Sequence, residues 1–106
     1  MQKFKATFSN ELNEKIVHTV QKLVDEYTFY IGSQKIRIRI YQDENEKYGY
    51  SLSHYYYSSK QLDPYIPSKQ NGFTSPEEAL DIARYGLILY YVPDDSQAKW
   101  VENALF

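Results

Sequence analysis

Lys35-Ile36-Arg37-Ile38-Arg39-Ile40-Tyr41 alternates branched apolar residues with cations and a tyrosine, without a break. Successive side chains of a β-strand point to opposite faces, so this pattern predicts a half-buried strand. Its isoleucine row turns inward, and Lys35, Arg37, Arg39 and Tyr41 turn outward. A strand with one wet face belongs in an antiparallel sheet. Upstream, Thr28-Phe29-Tyr30-Ile31 is rich in β-branched and aromatic residues and ends at the turn signal Gly32-Ser33. Downstream, Asp43 to Lys47 is a polar turn, and Tyr48 to Tyr57 reads as a long third strand in which Gly49 marks a bulge. Together the three form an antiparallel meander.

Further out, Phe4, Ala6 and Phe8 alternate with Lys3, Lys5 and Thr7 as a short strand. Ser9 or Asn10 caps a helix over residues 10–27, with Leu12, Ile16, Val20, Leu23, Val24 and Tyr27 as its apolar stripe. An irregular connection over residues 58–73 leads to Ser75, Pro76 and Glu78, which supply an N-cap, a first-turn proline and a capping box. The helix body from Ala79 to Val92 is apolar on nearly every side and stops at Pro93. Such a helix is central to a core or lies in a subunit contact. Asp94 caps a final short helix with Ala98, Val101 and Leu105 on one side.

These elements predict a single α+β domain over residues 1–106. A small antiparallel sheet, the meander plus the short N-terminal strand, packs against two or three helices in the order β-α-β-β-β-α-α. A meander followed by a helix resembles, in element order alone, the double-stranded-RNA-binding domains. The lysines those domains place at the start of the second helix are replaced here by Ser75-Pro76-Glu77-Glu78.

Composition narrows the function classes. The 106 residues include 12 tyrosines beside two histidines and no cysteine. Without cysteine there are no disulfides, no thiolate chemistry and no cysteine-bound zinc. Glu14 and His18 are two ligands of a metal site lacking a third. His54 reads as a core-edge histidine bonded to a tyrosine hydroxyl, with no nucleophile placed beside it. Asp43, Glu44 and Glu46 lack the glycine and ligand spacing of a calcium loop, and the scattered glycines form no phosphate cradle. Neither enzymatic activity, a metal nor a cofactor is expected. No apolar run approaches the ~20 residues that cross a bilayer. The start, Met1 to Phe8, lacks the apolar stretch of a secretory signal, so the expected location is the cytoplasm, with no membrane partner. A net charge of −2 gives no push toward nucleic acid.

The tyrosines carry the functional reading. A large ring with a polar tip suits a surface that is half buried and half wet. With the isoleucines inward, Tyr48, Tyr50, Leu52, His54 and Tyr56 share the core side. Tyr55 and Tyr57 then join Lys35, Arg37, Arg39 and Tyr41 on the open face. Interleaved cations and rings suit a protein interface, where Tyr and Arg dominate binding energy, and equally suit stacking on nucleic-acid bases. A merely solvated face has the same makeup. In Asp63-Pro64-Tyr65-Ile66-Pro67, two prolines stiffen a loop that presents Tyr65 and Ile66 to a partner's pocket, at the spacing of a minimal polyproline ligand. The adopted reading is a small non-enzymatic regulator or inhibitor that binds another protein through these residues. The alternative is a nucleic-acid-binding module on the same face. Self-association through the second helix, or through Trp100 and Phe106, is a further partner expectation.

Overall fold

The computed structural model describes residues 20–106. The expected strand from Phe4 to Phe8, the Ser9/Asn10 cap, the helix as far as residue 19 and His18 lie outside the described residues. Six elements follow in chain order: β1 (Gln21–Ile31), β2 (Gln34–Asp43), β3 (Tyr48–Leu52), β4 (His54–Tyr57), α1 (Pro76–Ile88) and β5 (Lys99–Glu102). The first three strands form one antiparallel sheet in the order β1-β2-β3, and β4 pairs with β5 in a second. Among the described residues the fold is therefore mostly β, with one helix. This overturns the expected sheet packed against two or three helices.

The central strand is as its alternation predicts. Ile36, Ile38 and Ile40 are buried together with Tyr50, Leu52, Phe73 and the α1 residues Ala79, Ala83 and Leu87. Burial of this apolar surface is what holds the helix on the sheet.

Residues 21–27 are strand, contrary to the helix expected over residues 10–27. β1 pairs with β2 from Gln21↔Asp43 to Ile31↔Gln34, which satisfies the β2 backbone on that side. The misleading periodicity has a local cause. The register shifts between Leu23 and Asp25, so one extra residue resets the alternation there. Leu23, Val24 and Tyr27 then fall at the three- and four-residue spacing of a helix while lying along a bulged strand.

The expected third strand is broken at Ser53. Leu52 and Ser53 are both buried in succession, so alternation is lost. The Ser53 backbone N–H donates to Arg37 O at 3.0 Å, while its hydroxyl accepts from the Arg37 N–H at 2.8 Å. The Ser53 carbonyl accepts instead from the Asn103 N–H at 2.8 Å, so here the chain leaves β2 for the second sheet. Gly49 is not a bulge; it pairs in register with Tyr41.

The final helix expected after Asp94 is replaced by β5. Trp100 lies opposite Tyr56 and Val101 opposite Tyr55. The Trp100 ring packs 4.9 Å from Tyr56 and 6.3 Å from Tyr91, centroid to centroid. Aromatic packing across strands outweighs the weak helical spacing of Ala98, Val101 and Leu105. Asp95, rather than Asp94, organises the preceding turn. Its carboxylate accepts from the Ser59 N–H and hydroxyl, both at 2.8 Å, and these bonds hold it below the usual carboxylate range.

The start of α1 follows its signature. Ser75 Oγ accepts from the Glu78 N–H at 3.0 Å. The return bond goes one residue further back, Thr74 N–H donating to Glu78 Oε1 at 3.3 Å. The helix ends at Ile88, before Val92, and buries only Ala79, Ala83 and Leu87. It is thus an amphipathic cover with one outer side exposed, and the expectation of a fully central helix is corrected.

Tyr50, stacked on Phe73, donates its hydroxyl to Lys69 O at 3.2 Å. Burial pushes its pKa up to about 12, with Tyr65 and Tyr55 adding to the shift. The neutral hydroxyl is the form the fold favours. Its contribution is complete below the ordinary value of 10.0 and is lost as pH rises toward about 12. Melting curves should therefore show a fall in Tm across that window, and Tyr50→Phe should flatten it. An unchanged alkaline slope in the variant would refute the assignment.

Candidate functional site

Lys35, Arg37, Arg39 and Tyr41 do share the outward side of β2, and β1 places Tyr30, Thr28 and Glu26 beside Lys35, Arg37 and Arg39. The two arginines are not bare cations. Glu26 Oε1 lies 2.6 Å from Arg39 Nε and 3.3 Å from Arg37 Nη2. The hydrogen bond from Arg39, and then the charge of Arg37, hold the Glu26 carboxyl below its usual range. The Phe106 ring lies against both guanidinium groups, 3.9 Å from Arg39 and 5.1 Å from Arg37. Arg39 also donates from Nη1 to the Phe106 backbone oxygen at 3.0 Å. Asn103 anchors this segment, its side-chain amide donating to Leu52 O at 2.8 Å. Residues 103–106 therefore cover part of the face expected to lie open.

Tyr55 and Tyr57 do not join the arginines. The break at Ser53 turns β4 into the second sheet, and Tyr55 packs against the core, on the opposite side from the cationic row. The Tyr57 hydroxyl donates to Leu62 O at 2.6 Å, and Lys99 Nζ lies 5.6 Å from its ring centroid. The single patch expected from parity is thus two separate groups.

Tyr65 and Ile66 sit on the flank of α1. The Tyr65 ring meets Tyr90 edge-on at 5.2 Å. Pro67 is buried against Gly86, where an added Cβ would come within 3.1 Å of the proline ring. A buried Pro67 is unavailable as a polyproline ligand, which removes that reading. Ile66, by contrast, is 58% exposed. On the α1 side that meets Pro67, Ile82 lies one helical turn before Gly86, and Ile82, Tyr85, Leu89 and Tyr90 are all exposed. The Pro67–Gly86 and Tyr65–Tyr90 contacts thus place these exposed apolar and tyrosine side chains along one flank of α1.

Two features escape sequence reasoning. Ser53 Oγ lies 2.8 Å from His54 Nδ1, so a hydroxyl does neighbour this ring, contrary to expectation. Gln34 Nε2 lies 3.4 Å from the other ring nitrogen. Because Ser53 is buried and also accepts from the Arg37 N–H, the arrangement locks the bend between the sheets. Adjacency in sequence was the available signal. The second feature is a cleft of about 450 Å³ beside the Tyr56, Tyr91 and Trp100 rings, with Gln34, Asp95 and Lys99 on its walls. It joins residues far apart in the chain, and no spacing announces it.

Among the described residues, no three His, Asp or Glu side chains gather as a metal site requires. Nor is any described helix long and apolar enough to cross a membrane. No protein-family model, curated protein or solved structure matches this chain.

Proposed function

We propose that this is a small non-enzymatic interaction protein of the cytoplasm, a regulator or inhibitor that holds a partner protein on the surface made by Tyr65, Ile66 and the outer side of α1. The observation that carries this reading is the exposed cluster of Ile66, Ile82, Tyr85 and Tyr90 on a proline-stiffened support. A rigid aromatic and aliphatic anchor loses little entropy on docking, and such groups dominate interface energy. The Lys35, Arg37, Arg39 row contributes electrostatic orientation at the far side of the sheet. The nucleic-acid alternative is the weaker one, because Arg37 and Arg39 are engaged by Glu26 and stacked under Phe106.

A photo-crosslinking residue at Tyr85, introduced in the native host cell, is expected to trap one discrete protein, and a control at Lys47 is not. In the reconstituted complex, Tyr85→Ala should weaken affinity by about 2 kcal/mol while shifting stability by only about 0.5 kcal/mol. No adduct at either Tyr85 or Ile66 would sink the reading. Oligonucleotide binding that falls steeply with salt would replace it with the alternative.

A further inference from the structure

β1 is the outer strand of its sheet, and its far edge has no strand partner among the described residues. Natural edges are blunted with proline, charged side chains (lysine above all) or bulges. Between Leu23 and Ile31, β1 has no proline and no lysine, and its two charges, Asp25 and Glu26, and its bulge, at Leu23/Asp25, all lie before Tyr27. The regular remainder, residues 25–31, exposes Tyr27 on the helix side and Tyr30, 66% exposed, on the other.

We propose that this part of β1 pairs antiparallel with the same part of a second copy of the chain, about a two-fold axis at Thr28. The two three-stranded sheets then become one of six strands, leaving the α1 surface free.

The register follows from charge and shape on both faces. An axis at Thr28 sets Tyr27 opposite the partner's Phe29 and Glu26 opposite the partner's Tyr30. On the helix side, Ile36, Phe29, the partner's Tyr27 and the partner's Ile38 form an unbroken apolar row across the sheet. On the other side the row reads Lys35, Tyr30, the partner's Glu26, the partner's Arg39. No carboxylate pairs with Lys35 among the described residues, and the partner's Glu26 would come within two strand spacings, about 10 Å between backbones, near enough for the long side chain to reach toward it. The two copies of Glu26 would lie about 13 Å apart along the strands, beyond the screening length of about 8 Å. An axis at Glu26 would oppose those carboxylates directly. One at Tyr27 would set Asp25 against the partner's Phe29. The Thr28 axis leaves Asp25 opposite the partner's Ile31 only at the two ends of the seven residues and satisfies both faces between them.

The chain has no cysteine, so single thiols report the register cleanly. Facing residues of an antiparallel pair have Cα atoms about 4.5–5.5 Å apart, within disulfide reach. Under mild oxidation Thr28→Cys is expected to form a covalent dimer, and Tyr30→Cys, with its copies about 13 Å apart, is not. Sedimentation of the unmodified chain should show a dimer. Thr28→Lys, at an exposed edge position, should keep the monomer's circular dichroism and weaken association about tenfold or more. A chain that stays monomeric at high micromolar concentration overturns the proposal. So does a dimer indifferent to Thr28→Lys, or equal cross-linking at Thr28 and Tyr30.

Discussion

Ile38→Ala is expected to lower stability by about 2–5 kcal/mol, enough to leave a domain of this size marginal or unfolded. Ile38 has no exposed surface. It sits at the middle of the central strand, opposite Tyr27 on one side and Leu52 on the other. To the same buried cluster the helix contributes Ala79 and Ala83, small residues that let its backbone approach the sheet closely. Little nearby is free to slide into the space an alanine would vacate, so the lost transfer free energy is joined by a cavity cost. Urea unfolding followed through the lone tryptophan, Trp100, gives the measurement. It should be run at fixed protein concentration, because self-association would add to apparent stability. A loss below about 1 kcal/mol would mean that the isoleucine row does not face the core.

Gly49→Ala acts by the opposite route, through too much volume. A Cβ at this position would stand 2.7 Å from the Gln70 carbonyl oxygen and 3.1 Å from Asn71 Cβ. That carbonyl cannot move freely, since it accepts from the Tyr50 N–H at 2.9 Å. The neighbouring Tyr48 and Phe73 exchange backbone bonds at 2.8 and 2.9 Å, which fixes the loop against β3. Relief of the clash must break or stretch one of these bonds. Overpacking and a lost hydrogen bond together cost about 3 kcal/mol, a fall of roughly 10–20 °C in Tm for a domain of this size. Ser51→Ala, two residues along the same strand, serves as the control. A Gly49→Ala variant that melts with its parent would show that the loop at residues 70–73 does not lie on β3.

The parts of the fold that could be read in advance are those where one short stretch contains its own signal. Seven alternating residues mark β2, and Ser75, Pro76 and Glu78 mark the start of α1, because capping bonds join neighbours in the chain. Where a local pattern is interrupted, reading fails. The bulge at Val24 disguised β1 as helix, and Ser53 reversed the parity that had placed Tyr55 and Tyr57 with the arginines. The candidate site suffered in proportion. Lys35, Arg37, Arg39 and Tyr41 were legible as one row, and Tyr65 and Ile66 as a stiffened loop. Glu26 and Phe106, which decide the charge and cover of that row, lie 13 and 67 residues from Arg39.

Residue order alone, then, settles which side of β2 is apolar and where α1 begins, since both depend on contacts spanning only a few residues. Which rings and carboxylates stand against those arginines, which tyrosines keep company, and how much of the helix stays exposed are settled only when distant segments pack. Each of those outcomes depends on burial and close contact between groups whose separation along the chain carries no trace of their separation in space.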